Sequence, residues 1–399
     1  MGLLSRANGR LSNSFISQCA PYFAPYYFAK IVNDYSGSFL NPYFGTHGAI
    51  LFFGGGHAAT NDNSLAALVL GPETCTFRRL VDPSPLFGSD SSSATIAANT
   101  LSSSTSFINM TYAEYLVDGK PASPHSYSSG DVIGPMHGGA ANGTFLRVLN
   151  TAAGVIGLVG AEAAHRVDFE STTGPYRWQR VTNNHGFNSG PSGGVTRLAP
   201  PNWTAWVPSQ NRVYTESRAA GAVARLSWFD RASNTWVTGT GRQRLNDAEL
   251  GSVTGAMFHV PQRNLLVFAD CKNGVLRLQI LDTTQSQPSW VTSVPLSQPV
   301  PLELAFTSAC WCEDNQRILV GELRGDNGAI VEVEIPTSLN APWVATRVPF
   351  GAGQTIPWAS EASYKKWAYN PRIKAVAYFP RADFQGANDV VYVYRPRNT

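Results

Sequence analysis

Charge is scarce in this sequence: Asp, Glu, Lys and Arg together supply 14% of 399 residues, and the formal net charge is only +3. No run of Lys or Arg exceeds two residues, so the basic patch that a nucleic-acid binder needs is missing. Long apolar runs are missing as well. No window approaches the roughly 20 apolar residues of a membrane span. The opening stretch MGLLSRANGRLSNSFISQCAPYF also lacks the continuous apolar segment of a secretory leader. These absences predict a soluble chain that does not use the general secretory route. On that expectation the glycosylation-like triplets at Asn109, Asn142 and Asn202 are incidental. Arg6 stands where a myristoylation signal prefers a hydroxyl.

Cysteine is sparse too. Five residues, an odd number scattered along the whole chain, make no disulfide framework and read as reduced thiols. Cys310 and Cys312 flank Trp311 on an apolar strand, which puts both thiols on one side. Neighbours this close cannot readily bridge or hold zinc alone, so they read as small core residues. A serine nucleophile elbow, a phosphate loop and HExxH are all absent. We therefore expect no cofactor and no metal.

What the chain has in quantity is Gly (36), Pro (26) and aromatic residues (11%), the composition of a protein rich in turns and strands and poor in helix. A repeat organises them. The segments FLNPYFGTHGAILFF, VIGPMHGGAANGTFLRV, WVPSQNRVYTE, HVPQRNLLVFA, CEDNQRILVGE and YNPRIKAVAYF share a short strand, a tight turn and a second apolar strand. Their anchors, Pro42, Pro135, Pro208, Pro261, Asp314 and Pro371, are spaced 93, 73, 53, 53 and 57 residues apart. A second marker keeps phase with the first: Phe77, Trp178, Trp236, Trp290 and Trp343 each open a further short strand.

Each unit thus holds four strands, and about fifty residues of antiparallel strand without helix is the pattern of a propeller blade. The fold expected is all-β: a single propeller of six four-stranded blades over residues 26–399, with residues 1–25 as an N-terminal extension. Seven blades is the alternative, because the two longest steps leave room for a degenerate unit. A β-sandwich would not produce six in-phase copies. The last unit stops after its third strand, VVYVYRP, so an N-terminal strand must complete it. The β-rich segment YYFAKIVND from Tyr26 is the candidate.

The runs GGGHAATNDNSLAALVL…FRRLVDPSP, DGKPASPHSYSSG and VVYVYRP resemble the kelch-type, galactose-oxidase-like propellers of many bacterial and phage-encoded proteins. That resemblance implies architecture, not chemistry, since such propellers serve as adaptors, glycan binders, structural modules and, more rarely, enzymes. The copper-radical oxidases of this fold class need an adjacent Tyr-His pair on a late blade. The nearest dipeptide here is Phe258-His259, whose ring lacks the phenolic oxygen. Sialidase-type Asp boxes are missing too.

In an antiparallel blade the second-to-third turn and the connection to the next blade lie at the same end. That end collects the long loops rich in Gly, Ser, Asn and His, and with them the candidate binding residues His57, Asn61, Asp62, His125, Tyr127, Asn184, His185 and Asn188. The Ser-rich insertion, residues 85–106, belongs to the same end. The glycines before His57 need no function, because residues without Cβ suit a crowded turn. The opposite end carries shorter turns, with His47 and His137 as second candidates. The function expected is a non-catalytic binding or assembly module, most concretely a phage tail or host-attachment protein that meets another subunit or a surface glycan. The alternative is a carbohydrate-acting enzyme at the same end, where acids such as Asp62, Asp90, Asp326 and Asp383 would have to pair.

Overall fold

A computed structural model of the chain describes residues 4–7, 37–53, 64–72, 75–82, 100–101, 115–116, 120–121, 128–148, 164–181, 202–217, 226–238, 255–291, 293–302, 307–322, 329–349, 365–379 and 391–396. These residues build six four-stranded antiparallel sheets and no α-helix. Blade 1 comprises Ser38–Asn41, Ala49–Phe53, Leu65–Val69 and Thr76–Val81. Blade 2 comprises Gly130–Ile133, Thr144–Arg147, His165–Asp168 and Gln179–Arg180. Blade 3 follows with Asn202–Val207, Arg212–Ser217, Leu226–Asp230 and Thr235–Thr238. Blade 4 has Ala256–Val260, Leu265–Lys272, Val275–Asp282 and Trp290–Val291, and blade 5 has Thr307–Cys312, Arg317–Glu322, Ala329–Glu334 and Val344–Pro349. Blade 6 takes Trp367–Asn370, Ala375–Tyr378 and Val391–Tyr394 from the C-terminus.

The first strand of each blade contacts the first strand of the next, and blade 6 returns to blade 1. The ring is closed. Six blades is the number, and no seventh unit occurs among the described residues. The N-terminal strand that completes blade 6 is Leu4–Ala7, paired with Val391–Tyr394. This corrects the choice of the Tyr26 segment, which lies outside the described residues.

Strand alternation explains how the blades hold together. In Ala49–Phe53, Ile50 and Phe52 pack toward blade 6, while Leu51 and Phe53 pack toward blade 2. Every blade is buried on both faces in this way, so each seam between neighbouring blades holds its own apolar cluster, and there are six. The marker aromatics Phe77, Trp178, Trp236, Trp290 and Trp343 all enter the seam shared with the preceding blade. All five are buried, Trp343 completely.

The anchors mark the turn between first and second strands. Three residues after each of them the backbone is left-handed: Gly45, Gly138, Asn211, Asn264 and Lys374 have φ of 67, 75, 55, 52 and 51°. In blade 5 the left-handed residue is Gln316, φ 51°. The fifth anchor is therefore Glu313, one residue before the Asp314 expected.

Side chains at these turns stitch the seams. Asn41 donates to the Asn142 carbonyl, and Arg231 to the carbonyls of His137 and Gly138. Gln210 donates to Thr283, Arg263 to Pro336 and Thr337, and Arg372 to Pro42. Between blades 5 and 6 the Tyr369 hydroxyl donates to Asp314.

Candidate functional site: the central cavity

The six first strands surround a cavity of about 320 Å³, within the range of roughly 300–1,000 Å³ usual for small-molecule sites. Its two ends differ in chemistry. Toward the turns, the residue two places before the anchor is Leu40 in blade 1, Trp206 in blade 3, His259 in blade 4, Trp311 in blade 5 and Tyr369 in blade 6, and all five line the cavity. They share a register, so they converge as a collar, and four of the five carry rings. Phe258 and Met257 extend the apolar wall below them.

The two tryptophans are held from behind. Trp206 packs on the seam between blades 2 and 3 with the Arg231 guanidinium 5.4 Å from its ring centre, and Trp311 donates its indole N–H to Gln262 at 3.1 Å. Tyr43, from the first turn of blade 1, lies against Gly134 of blade 2. A Cβ at Gly134 would sit 2.4 Å from the Tyr43 ring, which is why glycine is needed there. The Tyr43 hydroxyl is raised above its usual range by burial, then by the nearby Glu313 carboxylate. Glu313 is itself raised, by burial first and by Asp314 second.

His259 has a particular environment. Both ring nitrogens are buried without a hydrogen-bond partner. Burial pushes the imidazole down to about 4, so at neutral pH the ring is uncharged. The Trp206 indole N–H is likewise buried and unpartnered.

Toward the other end the lining turns polar. Lys365, on a left-handed backbone at φ 49°, reaches from blade 6 across to blades 2 and 3. Its ammonium donates to the Gly130 carbonyl at 2.8 Å, to Asp131 Oδ1 at 2.6 Å and to Thr204 Oγ1 at 2.9 Å. It also lies 5.9 Å from the centre of the Phe39 ring. Ser38 donates to the Lys365 carbonyl at 3.2 Å. The clasp thus joins four blades. Asp131 Oδ2 is left buried and without a partner.

The eight residues nominated from the sequence, His57, Asn61, Asp62, His125, Tyr127, Asn184, His185 and Asn188, are not among those the structure describes. Of the second candidates, His47 contributes its backbone carbonyl to Asn370, and His137 is exposed. Cys310 lines the cavity, and with Cys312 it is a buried free thiol in the seam between blades 5 and 6. Of the Ser-rich region only Thr100–Leu101 is described, paired with Tyr115–Leu116. The collar escaped notice because its members are 50 or more residues apart. Aligning the units on their anchors, with the fifth moved to Glu313, and reading two places upstream gives all five members, with Ile133 of blade 2 outside the lining.

No family model matches the chain, and no curated protein sequence matches it. Solved propellers resemble it in outline. An α-L-arabinanase from Penicillium chrysogenum is 9% identical, with 92% of this chain and 96% of that one covered and a TM-score of 0.45. The Trypanosoma rangeli sialidase is 11% identical over 99% of this chain, TM-score 0.45, and the match spans only 58% of the sialidase. The β-propeller domain of the Trilobed protease from Pyrococcus furiosus is 8% identical over 64% of this chain and 66% of that one, TM-score 0.30. Likeness this distant carries no functional argument. The closed ring of six sheets establishes the fold by itself.

Proposed function

We propose that the chain is a carbohydrate-binding propeller whose ligand seats in the central cavity. The observation that carries this reading is the pairing of an aromatic collar with an unpartnered carboxylate oxygen in one cavity. A sugar ring presents apolar C–H faces and a rim of hydroxyl donors. The faces of Trp206 and Trp311 suit the first, and Asp131 Oδ2 suits the second. Oligosaccharide should be bound and released unaltered. The kelch-type kinship and a role in virion attachment rest on the sequence resemblance alone.

Titration calorimetry with a panel of oligosaccharides tests the proposal. Wild-type protein should bind at least one, and Trp206→Ala and Trp311→Ala should each weaken binding by at least tenfold, the equivalent of about 1.4 kcal/mol. Undiminished binding by both folded variants would move the ligand out of the cavity. Shortened oligosaccharide recovered from the mixture would make the protein an enzyme.

A further inference from the structure

We propose that the cavity selects uncharged saccharides and rejects sugar acids, a specificity that rests on the binding function proposed above. The argument begins with the Lys365 ammonium, which has three N–H donors. Three acceptors already hold it: the Gly130 carbonyl, Asp131 Oδ1 and Thr204 Oγ1, all within 2.9 Å. No N–H remains for a ligand. Thr204 is fixed in turn, because its hydroxyl lies 2.6 Å from the Ser128 carbonyl, to which it donates. Lys365 and Asp131 are each only 18% exposed, so neither swings into solvent to find another partner.

The other lining groups that have spare hydrogen-bonding capacity are neutral. The Trp206 indole N–H is buried and unpartnered, and the His259 imidazole is uncharged at neutral pH. The charges of Lys365 and Asp131 cancel, which leaves the described lining residues with no net charge and one unpartnered carboxylate oxygen, Asp131 Oδ2, that can only accept. At the turn end Glu313 and Asp314 add carboxylates, while Arg372 and Arg263 spend donors on the carbonyls of Pro42, Pro336 and Thr337. A carboxylate-bearing sugar seated among the described lining residues would lose its hydration and meet no free cationic donor there, and desolvating an unpaired ion costs several kcal/mol. A neutral sugar loses far less and gains a charge-assisted hydrogen bond from a hydroxyl to Asp131.

The experiment compares neutral oligomers of glucose, mannose, galactose, xylose and arabinose with oligogalacturonate and sialyllactose, by calorimetry at neutral pH. The wild type should bind a neutral oligomer at least tenfold more tightly than any charged one. Asp131→Asn removes the acceptor's charge and leaves Lys365 uncompensated. It should weaken the neutral ligand about tenfold and improve oligogalacturonate. Thr204→Val frees one Lys365 N–H without changing the side chain's shape, and should improve oligogalacturonate even if Asp131→Asn fails to fold. Wild-type preference for a sugar acid overturns the specificity while leaving the binding function intact. Unchanged discrimination in both folded variants also overturns it. Binding of no member of the panel overturns the binding function, and the specificity with it.

Discussion

Acid should destabilise this propeller through His259, and the size of the effect follows from where the ring sits. In the folded chain its two nitrogens are buried without partners and its pKa is pushed down to about 4. In the unfolded chain the imidazole titrates at the ordinary value of about 6.5. Between those values the unfolded state holds more protons, so stability is fully present above about pH 6.5 and is lost as pH falls toward 4. A shift of this size corresponds to about 3 kcal/mol in full, of which about 2 kcal/mol is lost by pH 5. Other groups also titrate in this window, so the measurement is a difference. Urea unfolding of wild type and His259→Leu, each at pH 7 and pH 5, should show the variant losing about 2 kcal/mol less than the wild type on acidification. At pH 7 the leucine should be tolerated or stabilising, because it removes two buried polar atoms that nothing satisfies. Equal acid sensitivity in the two proteins would show that His259 has a partner or water in solution and is not held neutral by burial.

Other perturbations have equally direct expectations. Arg277, which holds the buried Asp270 by two bonds of 2.8 and 2.6 Å, should cost about 3–5 kcal/mol as Arg277→Leu, because the carboxylate loses its countercharge; urea titration reads this. The left-handed turn residues Gln316 and Lys374 pay for φ near 51°, so Gln316→Gly and Lys374→Gly should each stabilise by up to about 1 kcal/mol in thermal melts, whereas alanine should not. Trp343→Ala, which empties the seam between blades 4 and 5, should cost about 3–5 kcal/mol; a loss under 1 kcal/mol would mean the seam collapses to fill the space.

The blade count was legible because a propeller writes its period into the chain twice, once at a turn and once in a seam. The turn needs a left-handed residue, so Gly, Asn, Gln or Lys recurs at a fixed distance from the anchor. The seam needs a large ring at the start of the outer strand, so Phe or Trp recurs in phase with it. The one slipped anchor, Glu313 for Asp314, follows from the same rule: with no proline in that turn, only the backbone angle of Gln316 fixes the register. The closing strand obeys no such rule. Leu4–Ala7 joins blade 6 by main-chain bonds to Val391–Tyr394, and main-chain pairing leaves no mark on side-chain choice. The stronger β character of the segment from Tyr26 therefore does not identify the closing strand.

The site was hidden for a different reason. Polar loop composition draws attention to the end of the ring where second-to-third turns and blade connections gather, but a cavity on the axis is made by residues that the closing of the ring brings together. Lys365 and Asp131 are 234 residues apart in sequence, and Lys365 and Thr204 are 161 apart. Taken singly, Lys365 reads as a surface lysine beside a second one, Asp131 as a residue near a glycine turn, and His259 as an ordinary strand histidine. Their chemistry comes from convergence. The ring puts a saturated ammonium beside a half-satisfied carboxylate and below a largely aromatic collar, so the described lining residues offer an acceptor and no free cation. Under the specificity proposed above, that combination separates a hydroxyl-bearing neutral ligand from an acidic one.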